Sequence, residues 1–142
     1  MSPQPISKHL VLDSRFEEIA RAEQAILDDM KKFTYADNHH FAVKLALEEA
    51  LANAIKHGNN LSPNKQVTFD YRIDDHQIQL TVCDQGPGFA PDQIPDCTAE
   101  ENLDRPSGRG VMLIRAYMSD VFYNDSGNCL TMIMKKNNAA HE

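Results

Sequence analysis

Glu49 and Asn53 lie four residues apart in a stretch that is apolar at nearly every position from Phe41 to Ile55. On a helix this spacing places both side chains on one edge. A carboxylate and an amide are costly to bury without partners, and a hydrated metal ion with phosphate oxygens would satisfy both. Hydrogen bonds to a neighbouring loop would satisfy them equally well, so this pair alone leaves a binding site and a structural role both open.

Asp84 begins a glycine-containing turn, Asp-Gln-Gly-Pro-Gly-Phe, that directly follows an alternating apolar run. Gly86 and Gly88 permit positive backbone dihedrals or the close approach of another group. A carboxylate at Asp84 would repel phosphates but would accept a hydrogen bond from an exocyclic amine. Adenine carries that amine at its six position, whereas guanine carries an acceptor there.

A second glycine motif, Ser107-Gly108-Arg109-Gly110, leads directly into the apolar run that begins at Val111. This run predicts a short helix ending near Ser119, and bare amides at a helix start favour an anion. The motif lacks the lysine and hydroxyl residue of a Walker loop and the preceding strand of a dinucleotide fingerprint. Arg109 either adds positive charge for phosphates or faces solvent.

Together the three stretches predict a binding site for a nucleotide. The base would lie at Asp84, and the phosphates would lie between a divalent ion held by Asn53 and the helix start at Gly110. Glu49 would then lie near the terminal phosphoryl group.

Apolar residues recur with the periods of strands and helices along the rest of the chain. Alternation from Gln66 to Ile73 and from Ile78 to Val82, around a turn at Asp74-Asp75, predicts an antiparallel hairpin with one face toward the core. The other predicted elements are a strand from Lys8 to Asp13, a helix from about Arg15 to Lys32 begun by a Ser14/Glu17 capping box, a buried helix from Asp37 ended by Gly58-Asn59-Asn60, and a hairpin of Val121 to Asn124 with Leu130 to Met134. Helices on one face of a mainly antiparallel sheet form a two-layer α+β sandwich.

Two further interpretations concern local features. Lys44 and Glu48 have the spacing of an ordinary helical salt bridge. The stretch from Ala90 to Arg105 is acidic, carries prolines and has no sustained period. Too few residues follow it for a second core, so a lid or binding loop is favoured over a linker between domains.

Length and composition limit the function classes. With 142 residues, 42% hydrophobic and 25% charged, the chain is typical of one soluble domain. The net charge of -7 argues against nucleic acid as the main partner and favours a protein with a basic surface. We find no apolar run long enough for a membrane span and no signal pattern. The three cysteines, odd in number and without metal-ligand spacing, predict reduced thiols in a cytoplasmic protein.

The motifs and their order resemble the GHKL ATP-binding superfamily, and within it the anti-sigma-factor serine/threonine kinases of the RsbW and SpoIIAB type. The resemblance runs from Leu47 to Asp120, about half of the chain. It rests on Glu-Ala-Leu-Ala-Asn-Ala at 49 to 54, Asp-Gln-Gly-Pro-Gly-Phe at 84 to 89, and Ser-Gly-Arg-Gly-Val-Met-Leu-Ile at 107 to 114.

The resemblance implies a single histidine-kinase-like ATPase domain over residues 1–142, with a Bergerat-type ATP pocket between helices and sheet and an ATP lid at about 90–106. It implies that Glu49 is the general base, that Asn53 binds Mg²⁺ and that Asp84 reads adenine. The remaining residues implied to bind ATP or to shape its pocket are Gly86, Gly88, Ser107, Gly108, Arg109, Gly110 and Val111.

The function implied by the resemblance is partner switching. Such kinases phosphorylate a serine or threonine of a STAS-domain antagonist, the anti-anti-sigma protein, and hold a sigma factor inactive, usually as homodimers. The first predicted helix carries no phosphoacceptor histidine, and the chain has no room for the extra domains of gyrase-like or chaperone relatives. The alternatives are a nucleotide-responsive module that sequesters a regulator without kinase activity and a purely structural domain.

Overall fold

The computed structural model describes residues 3–86 and 118–136. Within these ranges the chain forms five strands and two α-helices in two layers. In chain order the elements are β1 (Ile6–Asp13), α1 (Glu17–Met30), α2 (Asp37–Asn53) with a π-helical turn (Ala54–Gly58), β2 (Gln66–Ile73), β3 (Gln77–Cys83), β4 (Asp120–Tyr123) and β5 (Cys129–Lys135). The sheet order is β1-β2-β3-β5-β4. All four neighbouring pairs are antiparallel, which confirms the predicted α+β sandwich.

Alternate residues of the central strands form the inner face of the sheet. Phe69 of β2 lies opposite Val82 of β3, which in turn lies opposite Leu130 of β5, and all three side chains are buried. The same alternation continues along these strands, so one side of the sheet is apolar and packs against the two helices. Both helices contribute to this core, chiefly through Ala22, Ile26, Met30, Val43, Ala46, Leu47, Ala50 and Leu51.

A buried carboxylate fastens α1 to the sheet. Asp29 is 3% exposed, forms ion pairs with Lys8 at 2.7 Å and Lys32 at 3.2 Å, and accepts a hydrogen bond from the Tyr71 hydroxyl at 2.6 Å. Burial alone would raise the pKa of Asp29, but these three hydrogen bonds outweigh it and lower the pKa below its ordinary value. The charge is therefore retained in the core, where it links β1, α1 and β2.

The predicted capping box at the start of α1 is wrong. Phe16 occupies the N-cap position and makes no side-chain capping bond. The Ser14 oxygen instead accepts a hydrogen bond from Asn59 Nδ2 at 2.9 Å, and the hydroxyl donates to the Lys65 carbonyl at 2.6 Å, so both are used outside the helix. Two glutamates in the first turn, Glu17 and Glu18, lie where the helix dipole favours negative charge.

The second helix is less uniformly buried than its composition suggests. Phe41 is 58% exposed, and Lys44 and Glu48 are also exposed, so one edge of α2 faces water. The predicted salt bridge between Lys44 and Glu48 does not form among the described residues. Ala46 and Ala42, the small residues one and two turns before Glu49, are buried in the core.

The second helical segment ends at Gly58, as predicted, but its last turn is not regular α-helix. Regular α-helix ends at Asn53, and the π-helical turn carries the chain to Gly58. The left-handed residues are Asn60 and Leu61, with φ of 52° and 56°, rather than Gly58. The chain therefore reverses its direction at Asn60 and Leu61, after Gly58, and Gly58 itself does not need a left-handed conformation.

Two of the three cysteines are joined. Cys83 and Cys129 lie directly opposite each other on β3 and β5 and form a disulfide, so the prediction of reduced thiols is wrong for this pair. They are 46 residues apart in sequence, and only the strand register brings them together. Cys97 lies outside the described residues.

No helix among the described residues is long and apolar enough to span a bilayer.

Candidate functional site

The end of the second helix meets the end of β3 at two glycines. A Cβ atom on Gly58 would lie 2.3 Å from Cγ of Asp84, and one on Gly86 would lie 1.9 Å from the Gly58 carbonyl oxygen. Neither glycine has a positive φ, so both are required by close approach rather than by backbone conformation. The Asp84 turn is thereby seated directly on the backbone at the end of the helix that carries Glu49 and Asn53.

Asp84 is half-buried and held at both its backbone and its side chain. Its N–H donates to the Asn128 carbonyl at 2.9 Å, and its Oδ1 accepts a hydrogen bond from the Gly86 N–H at 2.8 Å. Burial raises the pKa of the carboxyl, against the opposing influence of the Gly86 bond and of the Lys65 charge. Oδ2 accepts no hydrogen bond from the described residues, so one oxygen of a fixed carboxylate remains for an external donor.

Asn59 connects this turn to three other parts of the fold. Its side chain is fully buried, and its Nδ2 donates to Ser14 Oγ and to the Gln66 carbonyl, both at 2.9 Å. Its Oδ1 accepts the Gln85 N–H at 2.7 Å. Sequence reasoning treated Asn59 only as part of a helix terminator, because an asparagine after a helix-ending glycine is equally typical of that role.

Glu49 and Asn53 share one edge of α2, as predicted, and both are half-buried. Neither side chain makes a hydrogen bond or ion pair with the described residues, so the alternative of loop partners finds no support there. Asn53 precedes Gly58 by about 7 Å along the helix axis, and Glu49 lies roughly 6 Å further on. The order from the sheet end is therefore Asp84, Asn53, Glu49.

This order matches the order of groups in a nucleotide triphosphate. Asp84 offers an acceptor suited to an amine of a base, Asn53 offers an amide oxygen suited to a hard cation, and Glu49 lies furthest away. The other predicted residues, Gly88, Ser107, Gly108, Arg109, Gly110 and Val111, and the predicted lid at 90–106 all lie outside the described residues. Gly58 and Asn59 are the residues of this region that sequence reasoning did not assign to it.

Comparison with known proteins identifies the family to which this chain belongs. The sequence family described as the histidine kinase-like ATPase domain matches residues 12–134. The chain is 30% identical over 132 residues to the anti-sigma F factor of Geobacillus stearothermophilus, covering 90% of this chain and 89% of that protein. It is 27% identical over 99 residues to the serine-protein kinase RsbW of Oceanobacillus iheyensis, covering 66% of this chain and 63% of that protein.

A solved structure has a similar fold. It is the crystal structure of the RsbU and RsbW domains of Rv1364c from Mycobacterium tuberculosis, with a TM-score of 0.59, 15% sequence identity and coverage of 94% of this chain. The chain spans about a third of that protein, 32% of its length. At this identity the likeness concerns the fold alone, and it agrees with the antiparallel sheet and helical layer described above.

Proposed function

This chain belongs to the family of histidine kinase-like ATPase domains, and on that premise we propose that it is an ATP-dependent protein serine/threonine kinase acting as an anti-sigma-type, partner-switching regulator. The observation that carries the proposal is the seating of Asp84 against Gly58, at the end of the helix that bears Glu49 and Asn53. This contact supports the proposal because it joins Asp84, the acceptor proposed for the base, to the helix with the two side chains proposed for the phosphates.

At the base end, we assign adenine recognition to Asp84. Its Oδ2, the oxygen without a bond from the described residues, would accept a hydrogen bond from the exocyclic amine. Gly86 keeps the turn close to Gly58, and Gly88 is proposed to continue the same loop. Guanine would present an acceptor to this carboxylate, so the site should prefer ATP to GTP.

At the phosphate end, the amide of Asn53 fits a Mg²⁺ ligand, because it is an oxygen donor with no protein partner among the described residues. Bound Mg²⁺ would neutralise phosphate charge. Glu49 would accept the proton of the attacking serine or threonine hydroxyl. Ser107, Gly108, Arg109, Gly110 and Val111 are proposed to surround the phosphates beneath a lid at about 90–106.

The partners are proposed from the relatives' names and from charge. Two relatives are called an anti-sigma F factor and a serine-protein kinase. We therefore propose a STAS-domain antagonist as the substrate and a sigma factor as the protein held inactive, with this chain acting as a homodimer. The net charge of -7 suits partners with basic surfaces. Because Cys83 and Cys129 form a disulfide, unpaired thiols no longer argue for a cytoplasmic location. We propose that location from the role as an anti-sigma-type regulator.

One observation favours a second candidate, a nucleotide-responsive module that sequesters a regulator without turnover. A general base is usually oriented by another side chain, and Glu49 has no such partner among the described residues. The two candidates share the same pocket and differ only in phosphoryl transfer.

The deciding experiment follows labelled γ-phosphate from Mg-ATP to candidate STAS-domain proteins, using the unchanged chain, Glu49→Ala and Glu48→Ala. Glu48 is the neighbouring, exposed carboxylate on the same helix, so it is a matched control. We expect transfer by the unchanged chain and by Glu48→Ala, and a loss of about 10²- to 10⁴-fold in Glu49→Ala with ATP binding retained. Equal transfer by both variants would exclude Glu49 as the base. ATP binding with no labelled protein would favour the binding module.

A further inference from the structure

The side chain of Asn59 is fully buried and makes three hydrogen bonds within the described part of the chain. It is 0% exposed, donates to Ser14 at the end of β1 and to Gln66 at the start of β2, and accepts from Gln85 in the Asp84 turn. Its backbone N–H also donates to the Ala54 carbonyl at 2.8 Å, which closes the π-helical turn. One residue thus joins the end of the first strand, the second helix, the second strand and the turn after β3.

The bond to Gln85 is the one that bears on function. Gln85 lies between Asp84 and Gly86, and its backbone N–H is held by Asn59 Oδ1 at 2.7 Å. Its side-chain oxygen accepts the Gln66 N–H at 2.6 Å, so this residue is restrained from two directions. With its middle residue fixed, the turn keeps the Gly86 N–H on Asp84 Oδ1 and keeps the direction of the carboxylate constant.

We infer that Asn59 is a positioning residue that holds the 84–86 turn in its adenine-reading geometry, and that it sets ATP affinity and base preference without touching the nucleotide. The inference rests on the proposed function and deepens it. A ligand that must first order a loop binds more weakly, so a turn fixed in advance favours binding. Glu49 and Asn53 lie on regular α-helix before the π-helical turn, so phosphoryl transfer from bound ATP should depend far less on Asn59.

The test compares Asn59→Ala with Ser14→Ala. Ser14→Ala removes one acceptor of the Asn59 amide and the bond to the Lys65 carbonyl, but it leaves the Asn59 to Gln85 bond in place. Both variants should melt at lower temperature. Asn59→Ala alone should raise the KM for ATP about tenfold and reduce the preference for ATP over GTP, with kcat at saturating ATP nearly unchanged. Equal effects of the two variants on base preference would overturn the inference.

A second readout needs no nucleotide. Hydrogen exchange of the Gln85 amide should be slow in the unchanged chain and in Ser14→Ala, and about tenfold or more faster relative to the neighbouring strand amides in Asn59→Ala. Unchanged Gln85 protection in Asn59→Ala would overturn the inference, whatever the nucleotide data. Failure of the unchanged chain to bind ATP would instead refute the proposed function, and the exchange measurement would still decide whether Asn59 fixes the turn.

A third variant covers the case in which Asn59→Ala does not fold. Asn59→Asp keeps the shape and the acceptor for the Gln85 N–H while losing both donors. Folded Asn59→Asp should retain Gln85 protection and most of the ATP preference. Loss of both in that variant would overturn the inference.

Discussion

The two ends of the candidate site are built in opposite ways. At the proposed base end, the Asp84 turn is fixed by hydrogen bonds that Asn59 and Asn128 accept from it and by the one from the Gly86 N–H to Asp84, and it packs against Gly58. At the phosphate end, Glu49 and Asn53 have no partners among the described residues. In the proposed function, this difference means that the base-binding turn is ordered before ATP binds, whereas the phosphate-end side chains gain their partners from the ligand.

The largest expected effect comes from breaking the contact between the two ends. Gly58→Ala would place a Cβ 2.3 Å from Asp84 Cγ, so the turn must move away from the helix. Overpacking of this kind costs about 1–3 kcal/mol in the free energy of unfolding. We expect that loss together with loss of the rise in melting temperature caused by Mg-ATP.

The control for this variant is Asn60→Gly, two residues along. Asn60 is exposed and has a φ of 52°, which glycine adopts without strain. This change should leave the ATP effect on melting temperature intact. Normal ATP stabilisation of Gly58→Ala would show that the two ends are not coupled through this contact.

An intermediate effect is expected at the phosphate end. Asn53→Ala removes a proposed Mg²⁺ ligand from a half-buried position, so the structure should change little. ATP binding should weaken about tenfold when Mg²⁺ is present and much less when it is chelated. Calorimetric titrations with and without the metal measure the difference, and equal losses in both would remove Asn53 from the metal site.

The smallest expected change in melting temperature is that of Asp84→Asn. It is an increase, whereas Gly58→Ala lowers the melting temperature. Burial raises the pKa of Asp84, so its protonated carboxyl group favours the folded state below the ordinary aspartate pKa of about 3.9, and that contribution is lost as the pH rises through the higher folded value. At neutral pH the variant should therefore melt roughly 2 °C higher without nucleotide, because no buried charge remains. The gain should shrink as the pH is lowered from about 7 to about 4.

The same variant should bind ATP and GTP with similar affinity, because an amide can present a donor to guanine. Melting curves across the pH range and competition binding check the two expectations separately. A lower melting temperature at neutral pH would show that the carboxylate stabilises the fold, and unchanged ATP preference would remove Asp84 from base recognition.

Much of the fold follows from periodicity, because alternation reports directly on burial. The second strand, Gln66–Ile73, has the bounds that its apolar alternation predicts, and the inner faces of its neighbours follow from the same rule. Glu49 and Asn53 share an edge as their spacing requires. These features are local, so the sequence contains all the information that they need.

The features that sequence reasoning did not find depend on contacts between distant segments. Asn59 and Gln85 are 26 residues apart, and Cys83 and Cys129 are 46 apart. Ser14 shows the same limit, since its oxygen accepts a hydrogen bond from Asn59, 45 residues away, instead of capping the nearby helix. A local pattern cannot reveal which distant group competes for an acceptor.

The π-helical turn at Ala54–Gly58 gives the site an uneven tolerance for changes in length. A π turn accommodates one more residue than an α turn, so deleting a single residue from 55 to 57 would let the regular helix continue with Gly58 in nearly the same direction. Inserting a residue there would instead rotate every later group by roughly 100° about the helix axis relative to Asn53. Gly58 would then no longer face Asp84, so this segment should tolerate the loss of one residue far better than the gain of one.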